Sequence, residues 1–260
     1  MGRFKVGVTL HPQHTTVARL REGWREADAM GADSVWTWDH FYPLYGDKDG
    51  PHFEGYTLLT AAACDTQHVT IGAMVTCNSY RNPELLADMV RTLDHVSNGR
   101  AILGIGSGWF ERDYDEFGYE FGTATWRLEQ LETALPRIET RLAKLDPPPV
   151  QAKLPLLIGG SGEKVTLRIV AEKADAWNGF GPPEDYAKKN AILTQWCEKV
   201  GRDPAEVERT VLVDDDEVER VEEFLEAGAQ HLILGLGFET FADEPFDLTP
   251  LRRLIEQRDA

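Results

Sequence analysis

Two glycine-rich runs, each between a predicted strand and a predicted helix, are the segments best suited to hold a ligand through the backbone. One of them is Gly159-Gly160-Ser161-Gly162, followed by a helix predicted to begin at Glu163. Glycines let backbone amides approach a ligand closely, and a helix N-terminus adds unpaired N–H groups and the positive end of its dipole. The pattern predicts a phosphate cradle, to which Lys164 would add a positive charge.

The other run is Gly104-Ile105-Gly106-Ser107-Gly108-Trp109. Its spacing differs from that of the dinucleotide-binding fingerprint, and the run at Gly159 is not a Walker motif. Glycines at one such turn can be a purely geometric requirement. Two runs on successive predicted strands favour a common ligand site.

His40 is the best candidate for proton transfer, because imidazole gains and loses a proton near neutral pH. The neighbouring Asp39 could accept hydrogen bonds from ring or amide groups of a ligand. In the structural alternative, Asp39 caps its loop and His40 is a rim histidine with satisfied hydrogen bonds. The residue types favour neither interpretation over the other.

Other chemistry-bearing residues allow weaker hypotheses. His11 and His14 form an HxxH pair, but the other predicted strand ends offer mostly Gly, Thr, Asn and Trp, so we expect no metal site. The acidic stretch from Asp214 to Glu217 is typical of a helix N-terminus. Four tryptophans could wall an aromatic cofactor pocket or simply pack in the core: Trp36, Trp38, Trp109 and Trp177.

Strand-like and helix-like runs alternate along the whole chain, which predicts the elements that position these residues. The predicted strands span 4–10, 33–38, 69–75, 100–106, 154–158, 174–178, 209–213 and 231–236. Such alternation requires parallel pairing, and eight units can close into a (β/α)8 TIM barrel. We expect one α/β domain over residues 1–260, with an open doubly wound sheet as the competing arrangement. In a barrel the C-terminal strand ends carry the site.

The amino-acid composition indicates which classes of binding partner the protein does not suit, since its charge is strongly acidic. With 44 Asp and Glu against 27 Lys and Arg, the formal net charge is −17, which disfavours binding to nucleic acid and to anionic membranes. The three cysteines form no CxxC pair, which is typical of reduced thiols in a cytosol. No signal peptide and no apolar run of about 20 residues is recognisable. We expect a cytoplasmic protein that acts on a small molecule.

Several stretches resemble the luciferase-like monooxygenase superfamily, most closely its actinobacterial branch of coenzyme F420-dependent oxidoreductases. They follow the family's order over most of the chain: 32–36 leading to Asp39-His40-Phe41, 54–59, Val75-Thr76 with Tyr80-Arg81-Asn82-Pro83, 93–100, 104–111, 155–163 and 174–178.

The resemblance implies a flavin-like ring in the barrel mouth, supported by a non-prolyl cis peptide bond between Met74 and Val75. It implies that Asp39 and His40 lie near the reactive face, with His40 assisting proton transfer or stabilising charge during hydride transfer. The run Gly159 to Gly162, including Gly160 and Ser161, would hold the cofactor phosphate. The remaining cofactor contacts would be Met74, Val75, Thr76, Gly106, Ser107, Gly108 and Asn178.

The chain also departs from the family's patterns. The family's sugar-phosphate dehydrogenases carry a Trp shortly after the Asp-His pair and a Glu after the glycines of the fourth strand. This chain has Leu44 and Ser107 there, so that reaction is not expected. The connection over 144–154, after the fourth unit, is shorter than in most relatives, which predicts a more open site.

The expected function is therefore hydride transfer between reduced coenzyme F420 and a small organic substrate. The alternatives are an FMN-dependent monooxygenase that uses reduced flavin and dioxygen, and a barrel that binds the cofactor without catalysis. Relatives are often dimers, and nothing in the sequence forbids a homodimer.

Overall fold

The computed structural model describes residues 3–237 and 241–260 and contains one closed parallel sheet. Its strands are β1 (Lys5–Leu10), β2 (Ser34–Thr37), β3 (Thr70–Ala73), β4 (Thr76–Cys77), β5 (Ala101–Gly106), β6 (Leu156–Gly159), β7 (Ala176–Phe180), β8 (Glu208–Val213) and β9 (His231–Leu236). β1 pairs with both β2 and β9, and β5 pairs with both β3 and β4. Because β3 and β4 are two segments of one barrel strand, the sheet is an eight-stranded TIM barrel. The predicted fold is confirmed and the open sheet is wrong.

Helices cover the outside of the barrel. They are α1 (Val17–Met30), α2 (Gly55–Asp65), α3 (Pro83–Val96), α4 (Glu111–Phe117), α5 (Ala124–Leu142), α6 (Thr166–Lys173), α7 (Pro183–Val200), α8 (Val221–Glu226) and α9 (Thr249–Asp259). Local signals set several ends as predicted. α3 begins after Asn82, whose side chain accepts a hydrogen bond from the Leu85 amide, and α1 ends at Gly31, which has a left-handed φ of 85°.

Three helices of the structure differ from the sequence-based expectations. α4 was not predicted, because a helix of 7 residues is too short to show a periodic apolar pattern in the sequence. The helix expected from Asp216 begins instead as a 3-10 helix, Asp215–Arg220, before α8. α6 begins at Thr166 rather than at Glu163, since the glycine-rich loop continues past Gly162.

The third barrel strand is interrupted rather than continuous over 69–75. The peptide bond between Met74 and Val75 is cis, as the resemblance implied. β5 approaches this break closely: a Cβ atom on Gly104 would lie 2.0 Å from the carbonyl oxygen of Ala73. A glycine is therefore required at position 104 for the two backbones to pair beside the break.

The apolar core has two main parts, and a third cluster, of Cys77, Tyr80 and Tyr114, lies at the end of β4. The larger part packs the outer faces of the strands against the helices, with Leu10, Leu20 and Phe224 among its fully buried members. The smaller part fills the barrel interior with Trp36, Leu157, Ala176 and Ile233, and Val75 packs against it from the C-terminal end. The interior is thus a packed core that supports whatever lies at the strand ends.

Polar side chains close the N-terminal end of the barrel. The Ser34 hydroxyl lies 2.9 Å from Nε2 of His231 and accepts a hydrogen bond from Nε1 of Trp36 at 2.7 Å. Glu208 lies 3.3 Å from Nδ1 of His231 and accepts a hydrogen bond from Lys5 at 3.0 Å. Burial acts to raise the pKa of Glu208, but His231 and Lys5 outweigh it and lower that pKa from 4.5 to about 2.

This network predicts a pH-dependent contribution to stability. A carboxyl whose pKa is lowered in the folded state stabilises it above the unfolded pKa, and the contribution is lost as the pH falls through the folded pKa. We therefore expect the free energy of unfolding of the wild type to exceed that of Glu208→Gln at neutral pH. The difference should shrink between pH 4.5 and about 2. Urea unfolding across this range measures it, with Glu120→Gln at an exposed position as the control. A difference that is constant with pH would contradict the assignment.

Candidate active site

A cavity of about 970 Å³ opens at the C-terminal ends of the strands, a volume at the upper end of those that hold small ligands. It brings together nearly all of the residues predicted from the sequence. Those that line it are Asp39, His40, Met74, Val75, Thr76, Gly106, Ser107, Gly108, Gly159, Gly160, Ser161 and Asn178. Gly162 is the exception, because it lies in an adjoining depression of about 430 Å³.

Val75 forms the base of this cavity by packing across the ends of β5 and β6. A Cβ atom on Gly106 or on Gly159 would lie 2.8 Å from a γ-methyl group of Val75. This spacing is closer than real side-chain contacts allow, so both positions must be glycine for Val75 to lie where it does. The consequence is an apolar surface with no side chain rising from either flanking strand end.

The glycine-rich loop leads from this base to the adjoining depression. Gly160 has a φ of 122°, which favours glycine, and its carbonyl accepts a hydrogen bond from Nε1 of Trp177 at 2.8 Å. Ser161 and Thr166 line both the cavity and the depression. The depression also contains Lys164 and the ion pair between Lys189 and Glu163, whose charged atoms lie 2.5 Å apart. Backbone amides, hydroxyl groups and positive charge therefore lie together, as an anion-binding site requires.

His40 is held by a carboxylate that the sequence analysis missed. Nδ1 of His40 lies 2.8 Å from Oδ2 of Asp113, a fully buried residue of α4. Asp113 also accepts hydrogen bonds from Tyr80 Oη at 2.9 Å and from the Phe41 amide at 3.1 Å. With Nδ1 engaged, Nε2 is the ring nitrogen left for a bound molecule. The only available signal in the sequence was an acidic residue that lies between the aromatic pair Trp109-Phe110 and Tyr114.

Asp39 faces a different partner, although it is adjacent to His40 in sequence. Its carboxylate accepts two hydrogen bonds from Arg81, at 2.6 and 2.8 Å, and one from the Cys77 amide at 3.0 Å. Arg81 also bonds to Glu54 at 2.8 Å. Burial acts to lower the pKa of Arg81, but the charges of Asp39 and Glu54 raise it, so the guanidinium stays protonated. This geometry supports a positioning role for Asp39, and direct contact with a ligand stays a prediction.

Trp38 anchors an aromatic wall beside His40. Its ring stacks on His11 with a centroid distance of 4.1 Å, and its Nε1 donates to Nε2 of His52 at 2.9 Å. Burial, together with the charge of His40, lowers the pKa of His11 to about 3 and that of His52 to about 4. Both rings are therefore neutral near pH 7, and His40 is the histidine of this wall that pairs with a carboxylate.

The other sequence hypotheses have mixed outcomes. Trp38 and Trp109 line the cavity, whereas Trp36 packs inside the barrel and Trp177 stacks on Tyr186 beneath α7. His14 does not face His11 in a ligand pair; its Nε2 lies 2.8 Å from the carbonyl of Tyr45. Across residues 3–237 and 241–260 no group of three metal-ligating side chains is found.

The mouth of the cavity combines aromatic and acidic side chains. Trp109 and Phe180 are 64% and 51% exposed there. Asp214 and Glu217 form the capping box of the 3-10 helix, which agrees with the predicted helix start. Burial raises the pKa of both carboxyls, and neighbouring acids raise it further.

A family model described as luciferase-like monooxygenase matches residues 3–249. The chain belongs to this family. A phthiodiolone/phenolphthiodiolone dimycocerosates ketoreductase of Mycobacterium tuberculosis (strain ATCC 25618 / H37Rv) is 27% identical over 238 residues, which cover 78% of this chain. The same match covers 62% of the ketoreductase, so the chain spans less than two thirds of that relative.

Two solved structures have a similar fold. An F420-dependent secondary alcohol dehydrogenase in complex with an F420–acetone adduct aligns with a TM-score of 0.84 at 17% identity, over 98% of both chains. A monooxygenase from Streptomyces bottropensis aligns with a TM-score of 0.73 at 14% identity, over 97% of both chains. At these identities the similarity supports the fold. Among the described residues no helix is long and apolar enough to cross a bilayer.

The steric fit at the base of the cavity can be tested by a double-mutant cycle. Gly159→Ala should destabilise the protein by about 1–3 kcal/mol, because the new methyl group overlaps Val75. The penalty should fall in a Val75→Ala background, where the γ-methyl groups are gone, giving a coupling of roughly 1 kcal/mol or more. Gly201→Ala, with open space around its Cβ position, should have the same effect in both backgrounds. Urea unfolding provides the free energies, and additive penalties would refute the contact.

Proposed function

We propose that this protein is an oxidoreductase that binds coenzyme F420 and transfers hydride between it and a small organic substrate. One observation carries the proposal: Val75, the glycine-rich loop from Gly159 to Ser161, and His40, whose Nδ1 is bonded to Asp113, all line a single cavity. The similarity to an F420-dependent alcohol dehydrogenase over 98% of both chains supports it.

The residues present suit a flat heterocycle. The Val75 surface is bordered by Gly106 and Gly159, so a planar ring can approach it without meeting a flanking side chain. Met74 and Thr76 lie beside Val75, and Ser107, Gly108 and Asn178 border the ring position. The Asn178 side-chain oxygen accepts a hydrogen bond from Thr210 at 2.8 Å, which leaves its amide N–H groups to donate to the ring.

The phosphate would be held at the loop Gly159 to Gly162, by backbone amides and by the hydroxyl groups of Ser161 and Thr166. The depression beyond this loop distinguishes the two cofactors considered. The phosphate of coenzyme F420 is a diester that continues into an anionic tail, whereas FMN ends at its phosphate. A space next to the loop that contains Lys164, together with Lys189 in its ion pair with Glu163, favours the cofactor with the continuing chain, because the net positive charge of this space attracts its anionic groups.

The protein's contribution to the reaction is binding, orientation and proton transfer. When bound, the deazaflavin would supply or accept hydride at its C5 position. Nε2 of His40 would hold the proton that a substrate oxygen or nitrogen gains or loses in the same reaction. Asp113 would balance the charge of the protonated imidazole, and Trp38 and Trp109 would shield this proton position from bulk water.

A second candidate is a monooxygenase that uses reduced FMN and dioxygen. The similarity to the Streptomyces monooxygenase favours it, since the same cavity would accept either ring. A barrel that binds the cofactor without catalysis is less well supported, because the hydrogen bond between His40 and Asp113 orients a proton-transfer group toward the cavity. The homodimer and the cytoplasmic location stay predictions.

Cofactor choice can be measured directly. We expect fluorescence titration to detect binding of coenzyme F420 and weaker or no binding of FMN. Lys189→Ala should weaken F420 binding several-fold, with a smaller effect at high salt because screening already reduces the attraction. Lys188→Ala is the matched control, because it also breaks an ion pair, that of Lys188 with Asp185, but Lys188 does not line the depression. A deazaflavin without the phosphate should bind to Lys189→Ala and to Lys188→Ala with the same affinity. Binding of FMN alone would disprove the proposal.

The role of His40 predicts a loss of turnover with retained binding. His40→Ala should lower kcat by about 100-fold or more, because it removes the group that holds the transferred proton. Affinity for the cofactor should change little, since His40 is proposed to exchange its proton with the substrate, while the Val75 surface and the glycine-rich loop are proposed to hold the cofactor. Steady-state kinetics with secondary alcohols and ketones as trial substrates, alongside the F420 titration, checks both expectations. An unchanged kcat on a genuine substrate would refute the role.

A further inference from the structure

We infer that Asp113 is a positioning residue that decides which nitrogen of His40 carries the proton when the ring is neutral. The inference deepens the proposed function and rests on it only for the catalytic consequence. Asp113 lies on α4 and His40 follows β2, so two separate elements build the pair. No motif in the sequence connects them.

The hydrogen bonds around Asp113 leave its carboxylate only an accepting role. Oδ1 accepts from the Phe41 amide, which is an obligatory donor. Oδ2 accepts from Tyr80 Oη and lies 2.8 Å from Nδ1 of His40. Burial, and then the charges of Cys77 and Asp113, raise the pKa of Tyr80, so that the phenol stays protonated and donates. A carboxylate surrounded in this way stabilises a proton on the His40 nitrogen that faces it.

The consequence for His40 is a defined proton position. In the neutral ring the proton lies on Nδ1, and Nε2 presents a lone pair to the cavity and can accept a proton. In the protonated ring Nε2 carries the proton that it can return, and the charge is balanced by Asp113. The same residue thus serves substrate oxidation and substrate reduction without a change of rotamer.

An asparagine at position 113 should invert this arrangement. The Phe41 amide needs an acceptor, so the side-chain oxygen of the asparagine is expected at the Oδ1 position. Its NH2 group then replaces Oδ2 and donates to Nδ1 of His40. The neutral ring must place its proton on Nε2, which turns the nitrogen facing the cavity from an acceptor into a donor.

The test is the tautomer of His40, measured by long-range ¹H–¹⁵N spectra of histidine-labelled protein at a pH where the rings are neutral. His40→Gln identifies the resonances among the seven histidines. We expect the proton on Nδ1 in the wild type and on Nε2 in Asp113→Asn. Asp94→Asn is the matched control, because Asp94 is also fully buried and accepts from a backbone amide and a side chain, both of Gln151. It should leave the His40 tautomer unchanged.

The kinetic prediction is that Asp113→Asn lowers kcat by about 100-fold or more while affinity for coenzyme F420 is retained. Asp94→Asn should lower stability without this loss. A wild-type proton on Nε2, or an unchanged tautomer in folded Asp113→Asn, would overturn the inference. The wild-type spectrum needs no variant, so it remains decisive if Asp113→Asn does not fold. The spectra also need no cofactor, so a failure to bind coenzyme F420 would disprove the proposed function and leave this inference standing.

Discussion

The Val75 side chain occupies the space that side chains at positions 106 and 159 would need, and the mouth of the barrel is arranged around this exclusion. Below Val75, the interior cluster around Trp36 and Leu157 fills the barrel and supports it. Above it, the two glycine strand ends leave an apolar surface open to the cavity. A larger residue at either glycine would displace Val75, and the surface for a planar ring would be lost.

The interruption of the third barrel strand also fixes the charges around the site. Directly after the break, the Cys77 amide donates to Asp39, and Arg81 a few residues later binds both oxygens of that carboxylate. Removing one partner of such a buried pair costs about 3–5 kcal/mol, because the other charge stays buried without compensation. The pair thus connects the loop after β2, which carries His40, to the segment after β4, which carries Tyr80. Both His40 and Tyr80 bond to Asp113 of α4.

Asp39 and Asp113 illustrate how environment separates the roles of two buried acids. Asp39 binds a permanently charged guanidinium, so its charge is balanced in every state of the protein. Asp113 accepts from neutral donors and from a histidine that can change its charge, so it responds to a proton arriving from the cavity. A site that exchanges protons with a substrate needs the second kind of carboxylate, and the first kind holds the surrounding loops in place.

The sequence by itself determined the barrel, because alternating strand and helix patterns along the chain allow few other topologies. It also identified most of the residues that line the cavity. Glycines of both glycine-rich runs, the Asp39-His40 pair and Asn178 follow strand ends, and the strand ends of a parallel barrel meet at one edge. The positions of Gly106 and Gly159 were predicted, but not their reason, since the overlap with Val75 depends on packing between three strands. The tertiary structure alone decided the partners of Asp39 and His40. Arg81 and Asp113 lie 42 and 73 residues from these partners, and pairing at such separations follows from how the loops fold over the barrel mouth rather than from any local pattern.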